Sequence, residues 1–91
     1  MSAVTQMQMS ESQLRALRTT IVDARGTACP GPLLDATKAI TTLPVGGVLE
    51  TLSSDEGTKV DIPTWARKTG QEYLGTINES GYDRIFVRRL K

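Results

Sequence analysis

Apolar residues recur along the chain with a period that changes several times, and each change marks an element. Residues 19–24 are short and β-branched around Ile21 and Val22, then Arg25-Gly26 interrupts them, which predicts a strand running into a loop. From Pro32 to about Thr42, Leu33, Ala36, Ile40 and Leu43 return at spacings of three and four, the signature of a helix with one buried face. Pro44 and Gly46-Gly47 end it. Residues 48–53 read as a second strand, joined to the first through a helix as parallel strands require.

A polar loop, residues 54–59, follows and should open at the same end of the sheet as the loop after the first strand. The next helix is predicted to start at Asp61 as N-cap, with Ile62 and Pro63 in its first turn, and to stop at Gly70. Val60, Ile62, Trp65 and Ala66 supply its apolar contacts, Trp65 as a core anchor. Residues 71–78 and 82–90 form a hairpin through Glu79-Ser80-Gly81. In its second strand Ile85 and Val87 share one face, while Phe86 falls between Arg84 and Arg88 on the other and spoils a simple inside-outside alternation. Before all of this, residues 1–18 are polar and methionine-rich, and only Leu14 and Leu17 hint at a turn or two of helix. They are read as a mostly disordered tail preceding a domain at 19–91. The resulting order is βαβαββ. It predicts an α/β (α+β) two-layer sandwich with two helices packed on one face of a four-stranded mixed sheet.

Composition narrows the function. A chain of 91 residues is one small domain, and 11 basic against 10 acidic side chains leave no electrostatic track for nucleic acid or an anionic membrane. With no histidine and one cysteine, a Cys-His dyad, a structural zinc site and an internal disulfide are all excluded, and no metal or cofactor is expected. The same cysteine usage, with neither a signal-peptide pattern nor a long apolar run, points to the reducing cytoplasm.

Any chemistry therefore rests on Cys29, which stands in Cys29-Pro30-Gly31-Pro32 where a strand hands over to a helix. The prolines stiffen the backbone after the thiol, and Pro32 suits a helix's first turn. A thiol just before a helix N-terminus is stabilised as thiolate by the positive end of the dipole, which lowers its pKa from about 8.5. The opposing reading is a buried core cysteine. The small and polar neighbours, Gly26-Thr27-Ala28 before it and Pro-Gly-Pro after it, describe an exposed turn instead.

Residues 23–32, Asp-Ala-Arg-Gly-Thr-Ala-Cys-Pro-Gly-Pro, resemble the Cys-Pro-x-Pro signature of the TusA/SirA-like sulfur-carrier proteins, and residues 59–65, Lys-Val-Asp-Ile-Pro-Thr-Trp, resemble their second motif, at compatible spacing over roughly 21–91. The resemblance implies a small cytoplasmic sulfurtransferase. Its cysteine accepts sulfur as a persulfide from a donor protein, such as a cysteine desulfurase or rhodanese, and passes it to an acceptor protein. By position, Cys29 is then the persulfide site, Pro30, Gly31 and Pro32 shape the turn, Asp23 lies in the strand leading to it, and Lys59 and Asp61 lie in the facing motif as thiolate-stabilising or partner-recruiting groups. For Lys59 an ordinary solvated lysine is an equal alternative. Two departures stand out: Ala28 replaces the basic residue that some relatives carry before the cysteine, and Ala66 follows Trp65 where others have a second cysteine. Relatives serve tRNA thiolation, molybdenum cofactor maturation, sulfur oxidation and regulation, and these residues select none of them.

The competing function is a regulatory or protein-interaction module in which the Cys-Pro-Gly-Pro turn is structural. Direct RNA binding is disfavoured by balanced charge and few aromatics. Oligomeric state stays open.

Overall fold

The computed structural model describes residues 9–28 and 30–91. In chain order the elements are α1 (Glu11–Arg15), β1 (Thr20–Asp23), α2 (Gly31–Ile40), β2 (Val48–Ser53), α3 (Thr58–Thr69), β3 (Glu72–Glu79) and β4 (Tyr82–Arg88). The four strands make one sheet in the order β1-β2-β4-β3, parallel between β1 and β2 and antiparallel elsewhere. The βαβαββ mixed sheet with α2 and α3 on one face is thus present.

Beneath those two helices Ala36, Ile40, Leu43, Ile62 and Ala66 meet Leu49, Ile85 and Val87 from the sheet. The apolar periodicity of α2 is the cause, since Ala36 and Ile40 face inward while Asp35 and Lys38 remain exposed. The helix α3 begins a turn earlier than expected: Gly57, not Asp61, is its N-cap, and Pro63 lies inside the helix. Its buried stripe starts at Thr58 and continues through Ile62 and Ala66, an i, i+4, i+8 row. The amides of Thr58, Lys59 and Val60 are taken up by the carbonyls of Asp55, Glu56 and Gly57, so the entry turn is satisfied without a side-chain cap. Gly70 stops α3 in the left-handed region, with the Gln71 amide returning to the Ala66 carbonyl.

The opposite face of the sheet carries a second core, Leu14, Val48, Leu74, Ile77 and Phe86. Here the chain departs from a disordered tail through residue 18. Ser10 and Gln13 form a reciprocal capping box, the Met9 amide donates to the Leu74 carbonyl, and Leu14 of α1 lies buried against the sheet. Residues 1–8 lie outside the described residues. The position of Phe86 between two arginines is explained by the same contact, because α1 covers the ring while Arg84 pairs with Glu50 and Glu79, and Arg88 with Glu72. Close approach is made possible at the bulge in β3, where Gly75 has φ +150° and a β-carbon would stand 3.1 Å from Leu14 Cδ1.

Candidate functional site

Parallel pairing of β1 and β2 places the loops that follow them side by side. The Ala24 amide donates to the Leu52 carbonyl, and the Gly26 amide to Ser54 Oγ at 2.9 Å, so the two loops are joined directly. A shallow cleft between them is lined by Gly26, Thr27, Ala28, Ser54 and Asp55. Cys29 itself lies outside the described residues, and its position is bounded by Ala28 at the mouth of this cleft and Pro30 at the start of α2.

The Cys-Pro-x-Pro turn is set by local sterics. Pro30 is the N-cap residue of α2, Gly31 opens the helix with its amide on the Ala28 carbonyl, and Pro32 is buried in the first turn. A β-carbon at Gly31 would clash with Thr27 Cγ2, so a side chain there requires the Thr27 side chain to turn away. Gly31 spends its amide on Ala28 and Pro32 has none, so fewer first-turn donors face an anion than an unmodified helix start would offer. The helix's own sequence does not compensate its dipole, however, because the first turn of α2 has neither an acidic residue nor a side-chain cap.

Asp23 ends β1 and clamps Arg25. Its carboxylate accepts from the Arg25 amide (3.1 Å), from Nε (2.9 Å) and from Nη2 (2.7 Å). These charge-assisted bonds hold the carboxyl down at about 2. Arg25 and Tyr82, neither singled out by motif, meet here: the guanidinium stands 4.9 Å from the ring centroid. The two residues are far apart in the chain, so no local pattern could have joined them.

Lys59 does sit in the loop-facing turn of α3, yet its ammonium is engaged by carboxylates, Glu56 at 2.8 Å and Asp83 at 3.8 Å. The Glu56 bond first, and then the Asp83 charge, push its pKa up. Its positive charge is thus largely answered within the protein, closer to the structural alternative than to a free cation. Asp61 is half-buried and faces α2 across a cleft with Leu33, Thr64, Trp65, Lys68 and Thr69. Among the described residues no group of three or more metal-ligating side chains converges, and no helix is long and apolar enough to cross a membrane.

Comparison with known proteins agrees with this architecture. The SirA-like protein of Desulfitobacterium hafniense superposes with a TM-score of 0.69 at 23% identity, over 78% of this chain and 97% of that one, which establishes the shared fold. A candidate sulfur carrier protein of Archaeoglobus fulgidus is 48% identical over 71 residues, covering 78% of this chain and 97% of its own length. The sulfur carrier protein TusA of Pseudomonas entomophila is 35% identical over 68 residues, covering 75% and 85%. The model of the family described as sulfurtransferase TusA matches residues 20–89, from the first residue of β1 to just past β4, and the chain belongs to that family of sulfur carriers.

Proposed function

We propose that Cys29 carries sulfur as a persulfide, taking it from a donor protein in the cytoplasm and delivering it to an acceptor protein. The observation that supports this most is the placing of the chain's single cysteine immediately ahead of a helix whose own first turn contains no acidic residue and whose N-cap residue, Pro30, makes no side-chain cap. A thiolate supplies negative charge that the helix's own first turn lacks. In the first step the Cys29 thiolate attacks the outer sulfur of a donor persulfide. A new S–S bond forms at Cys29, the donor S–S bond breaks, and the donor leaves as a thiolate while the persulfide proton travels with the transferred sulfur. In the second step an acceptor nucleophile attacks the outer sulfur, and the Cys29 thiolate leaves. Each step is a displacement at sulfur, so the relay needs no metal or added redox cofactor.

Apolar surface on the first turns of both helices suits protein partners. Leu34 in the first turn of α2 and Val60 in that of α3 are 55% and 66% exposed, at the end of the sheet where the two loops meet. Donor candidates by class are a cysteine desulfurase or a rhodanese. The acceptor then feeds one of tRNA thiolation, molybdenum cofactor maturation or sulfur oxidation, which share this transfer.

Intact-mass measurement after incubation with polysulfide tests the proposal. The wild-type chain should gain about 32 Da, reversed by a reductant, and Cys29→Ser should gain nothing. A protein that takes up no sulfur and resists alkylation until unfolded has a structural cysteine, and the relay reading fails in favour of an interaction module.

A further inference from the structure

The loop that delivers the chain to Cys29 is tied down more heavily than a surface turn requires. Backbone bonds fix Ala24 to Leu52 and Gly26 to Ser54, and the Thr27 amide closes on the Ala24 carbonyl. Arg25 adds a tie to the far hairpin: gripped by Asp23, it lies against the ring of Tyr82 at the start of β4. That ring is itself anchored. Arg84 stands 5.5 Å from its centroid and donates from Nη2 to the Tyr82 hydroxyl at 3.0 Å, while Glu50 and Glu79 hold Arg84 in the sheet. Two guanidinium groups that repel one another are thus gathered on one aromatic ring, one from the sheet and one from the thiol loop. An isolated exposed Asp-Arg pair would contribute little. Coupled to a fixed ring, it becomes a strut that sets the path of residues 26–28.

We propose that Arg25 is a positioning residue for sulfur transfer, acting through Asp23 and Tyr82 to hold the loop that leads into Cys29 in the arrangement that exchange with donor and acceptor sulfur requires. The proposal rests on the persulfide reading of Cys29. Its partner is the ring face of Tyr82, which Arg84 holds by stacking as well as by the hydroxyl bond, so a phenylalanine there should largely serve and an aliphatic residue should not.

The test loads the full chain with sulfur from polysulfide and follows its removal by cyanide, in which the outer sulfur leaves as thiocyanate and the thiolate is regenerated. Alkylation by iodoacetamide is followed across pH in parallel. Tyr82→Phe should discharge within about twofold of wild type, whereas Tyr82→Leu and Arg25→Ala should each be slower by about tenfold while still melting cooperatively well above the assay temperature. The double variant should be no slower than either single one, because both remove the same strut. Wild-type discharge rates in Arg25→Ala and Tyr82→Leu overturn the proposal, and so does a loss in Tyr82→Phe equal to that in Tyr82→Leu. Should Tyr82→Leu fail to fold, Arg25→Ala and Tyr82→Phe decide alone. If the wild type takes up no sulfur, the persulfide reading fails separately. An alkylation profile identical in wild type and Arg25→Ala then overturns the strut, and a displaced profile sustains it.

Discussion

Truncation of Leu14 to alanine asks whether the short helix α1 is a working part of the domain. Leu14 is 2% exposed and packs with Val48, Leu74, Ile77 and Phe86 on the face opposite α2 and α3. Leucine-to-alanine changes at enclosed sites remove the transfer energy of the lost carbons and leave a cavity, together ~2–5 kcal/mol. The lower end applies here, because α1 has only 5 residues and can settle toward the sheet. The expected loss is about 2 kcal/mol, which for a domain of this size lowers the melting temperature on the order of 10 °C. Urea titration supplies the free energy and thermal melting the temperature, with Leu17→Ala, at a partly buried position, as a milder control. A double-mutant cycle sharpens the test. Gly75→Ala should be costly in the wild-type background, where its β-carbon meets Leu14 Cδ1 at 3.1 Å, and cheaper once Leu14 is truncated. A Leu14→Ala protein as stable as wild type, with no coupling to position 75, would refute the docking of α1 and leave Phe86 unexplained.

Other perturbations act nearer the site. Asp23 is held at about 2 against its ordinary 3.8, chiefly by side-chain bonds from Arg25. The folded value is the depressed one, so its contribution is complete above the unfolded value of about 4 and is lost as pH falls toward 2. The melting-temperature advantage over Asp23→Asn should therefore shrink across that window, and an advantage that stays constant through it contradicts the clamp. Thr51 Oγ1 is buried with no hydrogen-bond partner among the described residues, so Thr51→Val should hold or raise stability, by about 1 kcal/mol in urea titration. A clear loss would mean that the hydroxyl is satisfied in solution. Gly31→Ala should be destabilising through Thr27 Cγ2, and Gly31→Ala combined with Thr27→Ala should recover most of the deficit in thermal melts. Failure of that rescue would place the constraint on Gly31 elsewhere.

Much of the fold could be read from local pattern because its elements are long enough to show their period. The spacing of Ala36, Ile40 and Leu43 and the turn at Ser80-Gly81 both correspond to features of the folded chain. What escaped has identifiable physical causes. The start of α3 was misplaced because its buried stripe begins with Thr58, a residue that reads as polar, and because Pro63 suggested a first turn while sitting inside the helix. The helix α1 was underestimated because its stability comes from one leucine seated on a sheet face rather than from propensity. Its signal was nonetheless present in Ser10-x-x-Gln13, a capping box followed at once by Leu14. At the site, the strand-loop-helix setting of the cysteine motif was legible, and so was the meeting of the two loops. The neighbours of Lys59 and Arg25 were not, since Asp83 and Tyr82 reach them only through the hairpin's place in the sheet.

The central claim is that Cys29 both accepts and releases sulfur. Its most direct test loads the wild-type protein and Cys29→Ser with polysulfide made from heavy-isotope sulfur, then adds cyanide and follows both protein mass and thiocyanate. The account predicts that only the wild type gains one sulfur, that cyanide restores the starting mass, and that the thiocyanate carries the heavy isotope. Heavy sulfur retained on the wild-type chain after cyanide, or taken up equally by Cys29→Ser, would contradict it.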